Sequence, residues 1–488
     1  MDLKDAPTEG IEEAFVTFEA NDPENPRNWP SNRKWASVLT LATMAFVASL
    51  ASSIFAPGAN QAMADFHAPG NSVLSSFTLS VYILGNACGP LLVAPLSETW
   101  GRLVPFHVSN VLFVIFTVGC ATSPSLPGLI AFRLLAGVAA AAVTNVGAAT
   151  IGDLFAPQQR GKAMSIWSFG PLLGPAVGPI MGGFVAESLG WRWIFWVVVI
   201  AGSLTTALFV LVMRETHVPV LLQRKAARLR KATRNDRLRS EFDDAGAGQT
   251  VKRRIGRTLS RPLVLLVRSP AVACFSLLNS ALFGYQYFLF TTVPMVFGTT
   301  YHFSERQIGL SYLGLAVGLL LGNTTFGQLS DRLMKMMGQS CASDDPLAVT
   351  DAAPEHRLPL MIAGACLVPI SFFIYGWTVQ EQVFWFVPIA SMALFGFGVN
   401  VCFMTVQVYL VDVYTHYAAS ALAATTVFRS LVATLLPLAG PSMYRNLGIA
   451  WGNSMLAFIA LALIPIPIVF LRYGEAIRKN SGYNGLSS

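Results

Sequence analysis

The chain has 488 residues, of which 53% are apolar and only 12% charged, against roughly 25% charged in soluble domains. That composition excludes a soluble globular protein and describes a chain immersed in lipid. The net charge of +7 does not imply nucleic acid: residues 214–268 hold fifteen Lys/Arg against five Asp/Glu and leave the rest at −3, and a basic stretch beside membrane helices is a topology signal.

Residues 1–34 are polar and acidic, contain Pro23, Pro26 and Pro30, and read as a cytoplasmic tail without a packed core. No short charged-then-apolar leader with a cleavage site precedes Trp35, so the first span is expected to do the targeting. Crossing a hydrocarbon core of ~30 Å takes about 20 apolar residues. Such runs occur at 35–56, 72–95, 105–123, 126–152, 163–185 and 192–213, and, after the basic stretch, at 271–297, 307–328, 358–377, 383–411, 418–440 and 449–471. The expected fold is an all-α membrane protein of twelve transmembrane helices in two six-helix bundles, 35–213 and 271–472. A basic cytoplasmic loop at 214–270 joins them, and a tail at 473–488 follows. With both ends on one side, that side holds twenty-eight of the thirty-three Lys/Arg, while the other holds Arg192, Arg306 and Arg445. The positive-inside rule makes the crowded side the cytoplasm. Five of the six cysteines lie in apolar runs, so no disulfide or zinc framework is visible.

The two halves repeat. APLSETWGR, Ala94 to Arg102, closes the second run as GQLSDRLMK, Gly327 to Lys335, closes the eighth; Asp153-Leu-Phe155 closes the fourth as Asp412-Val-Tyr414 closes the tenth. Repeats in the same chain order suggest two bundles facing one another across a midplane site, an arrangement suited to alternating access.

The fifth run is unlike any soluble helix. Gly170, Gly174, Gly178 and Gly182 recur every fourth residue, interleaved with Pro171, Pro175 and Pro179. In water each internal proline costs about 3 kcal/mol and each glycine about 1 against alanine. In a bilayer such a helix persists where neighbours satisfy the freed backbone groups and small residues let backbones approach. The row predicts close packing and a capacity to bend.

Two charges lie within spans, Arg133 and Arg429, and no Asp or Glu lies deep in any of the twelve runs. A buried arginine must face a cavity or a partner. Two cations without a buried carboxylate would favour neutral or anionic substrates over polyamines; alternatively either arginine clamps helix-end carbonyls. Tyr82, Asn86, Asn145, Asn279, Tyr285, Gln286, Tyr287, Asn400 and Gln407 are polar groups within apolar runs, expected to be divided between substrate wall and interhelical hydrogen bonds. Proton-relay candidates are peripheral: Glu98, Asp153, Asp412 and His107.

On these motifs the chain resembles the major facilitator superfamily, specifically its fungal drug:proton antiporter branch with twelve spanners. The Gly/Pro helix resembles that branch's antiporter motif, Leu96-Ser-Glu-Thr-Trp-Gly-Arg102 the signature between helices two and three, Arg133-Leu-Leu-Ala-Gly137 the fourth-helix motif, and Glu24-Asn-Pro-Arg-Asn-Trp29 a tail common in fungal members. Glu98 stands where the signature usually has Asp, and Ala136 where the fourth-helix motif usually has Gln. The resemblance implies gating residues Glu98, Gly101, Arg102 and Asp153, with Asp331 in the second half. Glu98 would meet the N-terminus of helix eleven near Ala418, latching the outward-open state. It implies coupling through Arg133 and the Gly170–Gly182 row. It further implies export of a drug, toxin or secondary metabolite by proton antiport, with no cofactor beyond the proton gradient and with lipid, substrate and protons as partners. A monomer in the plasma membrane is expected, the vacuolar membrane being the alternative.

Rival classes find less support. No Gly-Lys-Ser/Thr phosphate loop exists, since Gly161-Lys162 is followed by Ala163. The six histidines are scattered and mostly in loops, unlike a membrane-embedded metalloenzyme. A receptor on a transporter scaffold would often carry a long signalling tail, and a proton-coupled importer of a small metabolite remains the alternative to export.

Overall fold

The computed structural model describes residues 15–19, 22–68, 72–155, 157–233, 238–240, 264–341, 354–414 and 418–480. The side chains of Glu98, Asn145 and Asp331 lie outside the described part, as does that of Ala418. The first half contains α1 (Ser31–Ser53), the short α2 (Ala59–Asp65), α3 (Ser72–Thr99), α4 (Leu103–Thr122), α5 (Leu126–Leu154), α6 (Pro157–Leu189) and α7 (Trp191–Val212). A connecting helix α8 (Val218–Thr233) precedes α9 (Pro270–Thr300), α10 (Glu305–Ser311), α11 (Leu313–Cys341), α12 (Leu358–Gln380), α13 (Phe386–Val413), α14 (Ala418–Leu463) and α15 (Pro465–Asn480). Among the described residues eleven helices are long and apolar enough to cross a membrane. Because Gly448 sits at φ +76°, ψ 171° within α14, that element is two spans, and the crossings number twelve. Span eight is broken at Tyr312, where α10 gives way to α11. Twelve crossings return the chain to its starting face, here called the terminal face; α1 and α15 meet it, as does the α7–α9 connection.

Packing repeats between the halves as the sequence does. In the first half α1 lies along α6 and α3 along α5; in the second, α9 lies along α14 and α11 along α13. The Gly170–Gly182 row is the seam between α6 and α1. A Cβ on Gly170 would stand 2.4 Å from Ala42 O, on Gly174 2.6 Å from Ser49 Cβ, on Gly178 2.4 Å from Ser53 Oγ and on Gly182 1.9 Å from Ile54 O. Only hydrogen fits at these sites. Pro179 has no N–H to offer the carbonyl four residues back, and Ser53 Oγ donates to that Pro175 oxygen instead, at 3.0 Å. The second half uses the same device between α11 and α13, where Gly314, Gly318 and Gly322 meet the carbonyls of Ile389, Ala393 and Phe397.

The tail and the basic loop depart from expectation. Phe15–Val16 pairs in parallel with Arg239–Ser240, and ion pairs join Lys225 to Asp22 at 2.5 Å and Arg228 to Glu24 at 2.8 Å. Lys225 also sits 5.5 Å from the Phe18 ring centroid. Opposite charge, invisible when each segment is read alone, docks the acidic tail onto the amphipathic face of α8.

Candidate functional site

Three layers of polar residues cross the molecule, one at each face and one at mid-depth. At the terminal face, Arg102 Nε lies 3.1 Å from Asp153 Oδ2, and its Nη1 donates to Ser97 Oγ at 3.0 Å. Arg102 and Asp153, both expected at the gate, are therefore an ion pair that joins the ends of α3 and α5. Glu215, which no motif singles out, is 5% exposed just beyond α7. It accepts from Arg102 N at 2.8 Å, Leu103 N at 3.2 Å, Thr216 N at 3.0 Å and His217 N at 2.9 Å. Two of those donors, Arg102 N and Leu103 N, belong to the start of α4, where a negative charge also complements the helix dipole. Gly101, at φ +89°, lets the chain turn beneath this carboxylate; a Cβ there would stand 2.3 Å from Glu215 Oε2.

The second half builds the same triad from a different place. Arg357 Nε lies 3.3 Å from Asp412 Oδ2, and its Nη1 donates to Ser330 Oγ at 2.7 Å. Ser330 and Asp412 are the repeat partners of Ser97 and Asp153, but linear alignment pairs Arg102 with Lys335, whereas the guanidinium comes from the start of the ninth span. The insertion between the eighth and ninth spans hides this from a sequence comparison.

The two arginines within the spans diverge. Arg133, 2% exposed, donates to the carbonyls of Ala51 at 2.7 Å, Ser52 at 3.2 Å, Thr78 at 3.2 Å and Leu79 at 3.1 Å. Its guanidinium lies 4.9 Å from the Tyr82 ring centroid, with Phe55 at 5.7 Å and Phe195 at 5.9 Å. Of the two readings left open for it, this geometry is the clamp: it pins α1 to α3. Tyr82 donates to Ala48 O at 2.6 Å, and Tyr285 to Leu456 O at 3.0 Å. Both side chains are buried and spend their hydroxyl protons on carbonyls of their own halves. Arg429 differs: its Nε and Nη1 are buried and have no partner, as are Asn86 Oδ1, Asn279 Nδ2 and Asn400 Oδ1. Phe283 and Phe403 flank Arg429 at 4.7 and 5.0 Å. Gln407, one turn along α13 from Phe403, is partly exposed, and Gln286 is buried beside Tyr287.

Hydrogen bonds between the halves, among the described residues, lie at mid-depth or at the face opposite the termini. Tyr287 donates to Ser52 Oγ at 2.9 Å, and Ser80 Oγ to Thr434 O at 3.1 Å. Nearer that opposite face, Glu187 Oε2 accepts from Ser304 Oγ at 3.0 Å and from Arg306 N at 2.8 Å, while Arg445 reaches Ser72 Oγ at 3.5 Å. Gly183 and Gly309 bring α6 against α10, a Cβ on Gly309 falling 2.7 Å from Pro179 O. The predicted contact of Glu98 with helix eleven involves side chains outside the described residues.

Repeated six-helix halves, sealed together at one face around a polar mid-depth layer, define a membrane transporter rather than an enzyme. The chain belongs to the Major Facilitator Superfamily, which it matches over residues 41–437. It is 46% identical over 460 residues to the MFS-type transporter penM of Penicillium rubens, covering 94% of this chain and 88% of that protein. Efflux pump radE of Floropilus chiversii is likewise 46% identical over 460 residues, covering 94% of this chain and 84% of the pump. The fold is that of the xylose transporter XylE from E. coli in a partially occluded inward open conformation, with TM-score 0.64 at 18% identity over 91% of this chain and 98% of that one.

Proposed function

We propose that the protein is a secondary active exporter of a small amphipathic organic compound, a secondary metabolite, toxin or drug of neutral or anionic charge. Inward proton movement drives it through alternating access. The termini and α8 face the cytoplasm, as the Lys/Arg asymmetry requires, and the plasma membrane is the site of action.

The observation that carries this reading is the α1–α6 seam. Its glycines bring two backbones into contact along four turns, and its prolines leave carbonyls that side chains such as Ser53 satisfy. Such a joint holds close packing without a rigid backbone ladder, which suits a helix that must flex at the boundary between halves. A relative named as an efflux pump supports the outward direction.

Accumulation of a neutral, anionic and cationic compound panel in yeast stripped of its own efflux pumps, with and without this protein, tests the proposal. Lower accumulation that a protonophore abolishes is the expected outcome. Higher accumulation would mean import, and protonophore-insensitive export would remove the proton as the driving ion.

A further inference from the structure

Within the second half, the mid-depth layer contains a cation flanked by aromatic rings on two sides, with two of its buried nitrogens lacking acceptors. Arg429 Nε and Nη1 are sealed from water and unpaired, yet its side chain as a whole, like those of Phe283 and Phe403, keeps partial exposure. A guanidinium carries five donors in a fixed plane and does not give up its proton. Proteins leave such a group buried without an acceptor only at a cost that a ligand can offset. Arg133 shows how this chain treats an arginine meant for structure: four carbonyls surround it.

We propose that Arg429 is the anchor for the acidic group of a monoanionic aromatic or conjugated compound, whose ring body lies between Phe283 on α9 and Phe403 on α13. The proposal deepens the transporter reading and rests on it. A carboxylate, phenolate or enolate supplies the missing acceptors as charge-assisted hydrogen bonds. The two rings, 4.7 and 5.0 Å from the guanidinium carbon, offer apolar faces to a flat substrate and stabilise the cation when the site is vacant. Among the described residues of this layer, Arg429 is the cation whose buried N–H groups lack acceptors, which sets the charge at one. Asn279, one turn before Phe283 on α9 and with an unpaired Nδ2, and Gln407, one turn after Phe403 on α13, can orient a second polar group. Tyr287 lies against Phe283, ring centroids 5.1 Å apart, and donates to Ser52 across the halves. A body wedged beside Phe283 therefore touches the joint between them.

The test uses the purified full-length protein and thermal-shift titrations with 2-naphthoate, its neutral methyl ester, 2-naphthylethylammonium, decanoate, and chloride against gluconate. The wild type should bind 2-naphthoate at least about tenfold more tightly than the ester or the cation. Arg429→Met should abolish that preference while leaving ester binding and the melting temperature of the ligand-free protein intact or raised. Phe403→Leu should narrow the preference for naphthoate over decanoate. Equal binding of acid and ester, unchanged naphthoate affinity in Arg429→Met, or an effect that chloride alone reproduces would each overturn the anchor. Failure of both Arg429→Met and Arg429→Gln to fold would assign the side chain to structure and overturn it too. Vesicle efflux of the ester separates the two readings. Transport with charge-blind binding removes only the anchor, whereas absent transport of every probe removes the exporter and leaves the binding series to be judged by itself.

Discussion

Glu215 and Arg102 show how far single residues could be read in advance. Arg102 and Asp153 were legible because both sit in short motifs at helix ends, and like the Arg357–Asp412 pair they close a half at the terminal face. Glu215 was not legible, because all its partners are backbone N–H groups, which leave no mark in a sequence, and two of them stand 112 and 113 positions away. Its removal should be costly: Glu215→Ala strips the acceptor from four buried or half-buried donors and should destabilise the protein by about 3 kcal/mol, read as a fall in melting temperature. Gly101→Ala should act through the same group, since its Cβ would collide with Glu215 Oε2 and φ +89° disfavours any side chain. Arg102→Ala is expected to do something different. The ion pair is half-buried, so loss of stability should be modest, while transport should fall sharply with near-normal expression. An equal fall in folded protein and in transport would make the pair structural only.

Among the elements, the fifth span was recognisable from its Gly/Pro rows alone, since no other environment tolerates them, but its partner helix was not. Contacts with α1 depend on which face turns inward, and α6 is apolar all round. Ser53 is the informative position: it donates to Pro175 O across that seam. Ser53→Ala should cost about 1 kcal/mol and Ser53→Val more, because a second Cβ branch would press on the α6 backbone that Gly178 lets approach. A melting temperature unchanged in Ser53→Ala would mean that the proline-freed carbonyl is satisfied otherwise. The strap between tail and α8 is hidden for the opposite reason: taken alone, each segment is only polar and charged, and the pairing shows when the two are brought together. Hydrogen bonding to Lys225 holds the Asp22 carboxyl below its ordinary value. A carboxyl depressed in the folded state contributes docking energy above its ordinary value, and loses it as pH falls through the lowered one. Docking should therefore persist at neutral pH and release under acid. Lys225→Glu should release it at neutral pH, seen as faster hydrogen exchange across residues 15–19.

For the whole molecule, twelve spans and two halves followed from hydropathy and from the Lys/Arg asymmetry, because length against bilayer thickness is a physical constraint that the sequence cannot evade. Which face is sealed did not follow. A transporter's alternate states share one sequence and differ by a few kcal/mol, so no residue pattern announces the state found. The structure is closed opposite the termini through Glu187 with Ser304 and Arg306, through Ser72 with Arg445, and through Gly183 against Gly309. If the halves part there during transport, a covalent tie across that face should stop it. Replacing the six native cysteines and introducing Ser72→Cys with Arg445→Cys places one thiol on each side of this contact, an arginine's reach apart. A short bifunctional thiol reagent should then abolish transport, and either single cysteine should be insensitive. Arg429 lies below this seal, so ligand binding from the terminal face should survive the tie, and 2-naphthoate should still shift the melting temperature of the crosslinked protein. Crosslinked protein that transports normally would show that the halves stay joined at this face throughout the cycle, and substrate would then have to pass by another route.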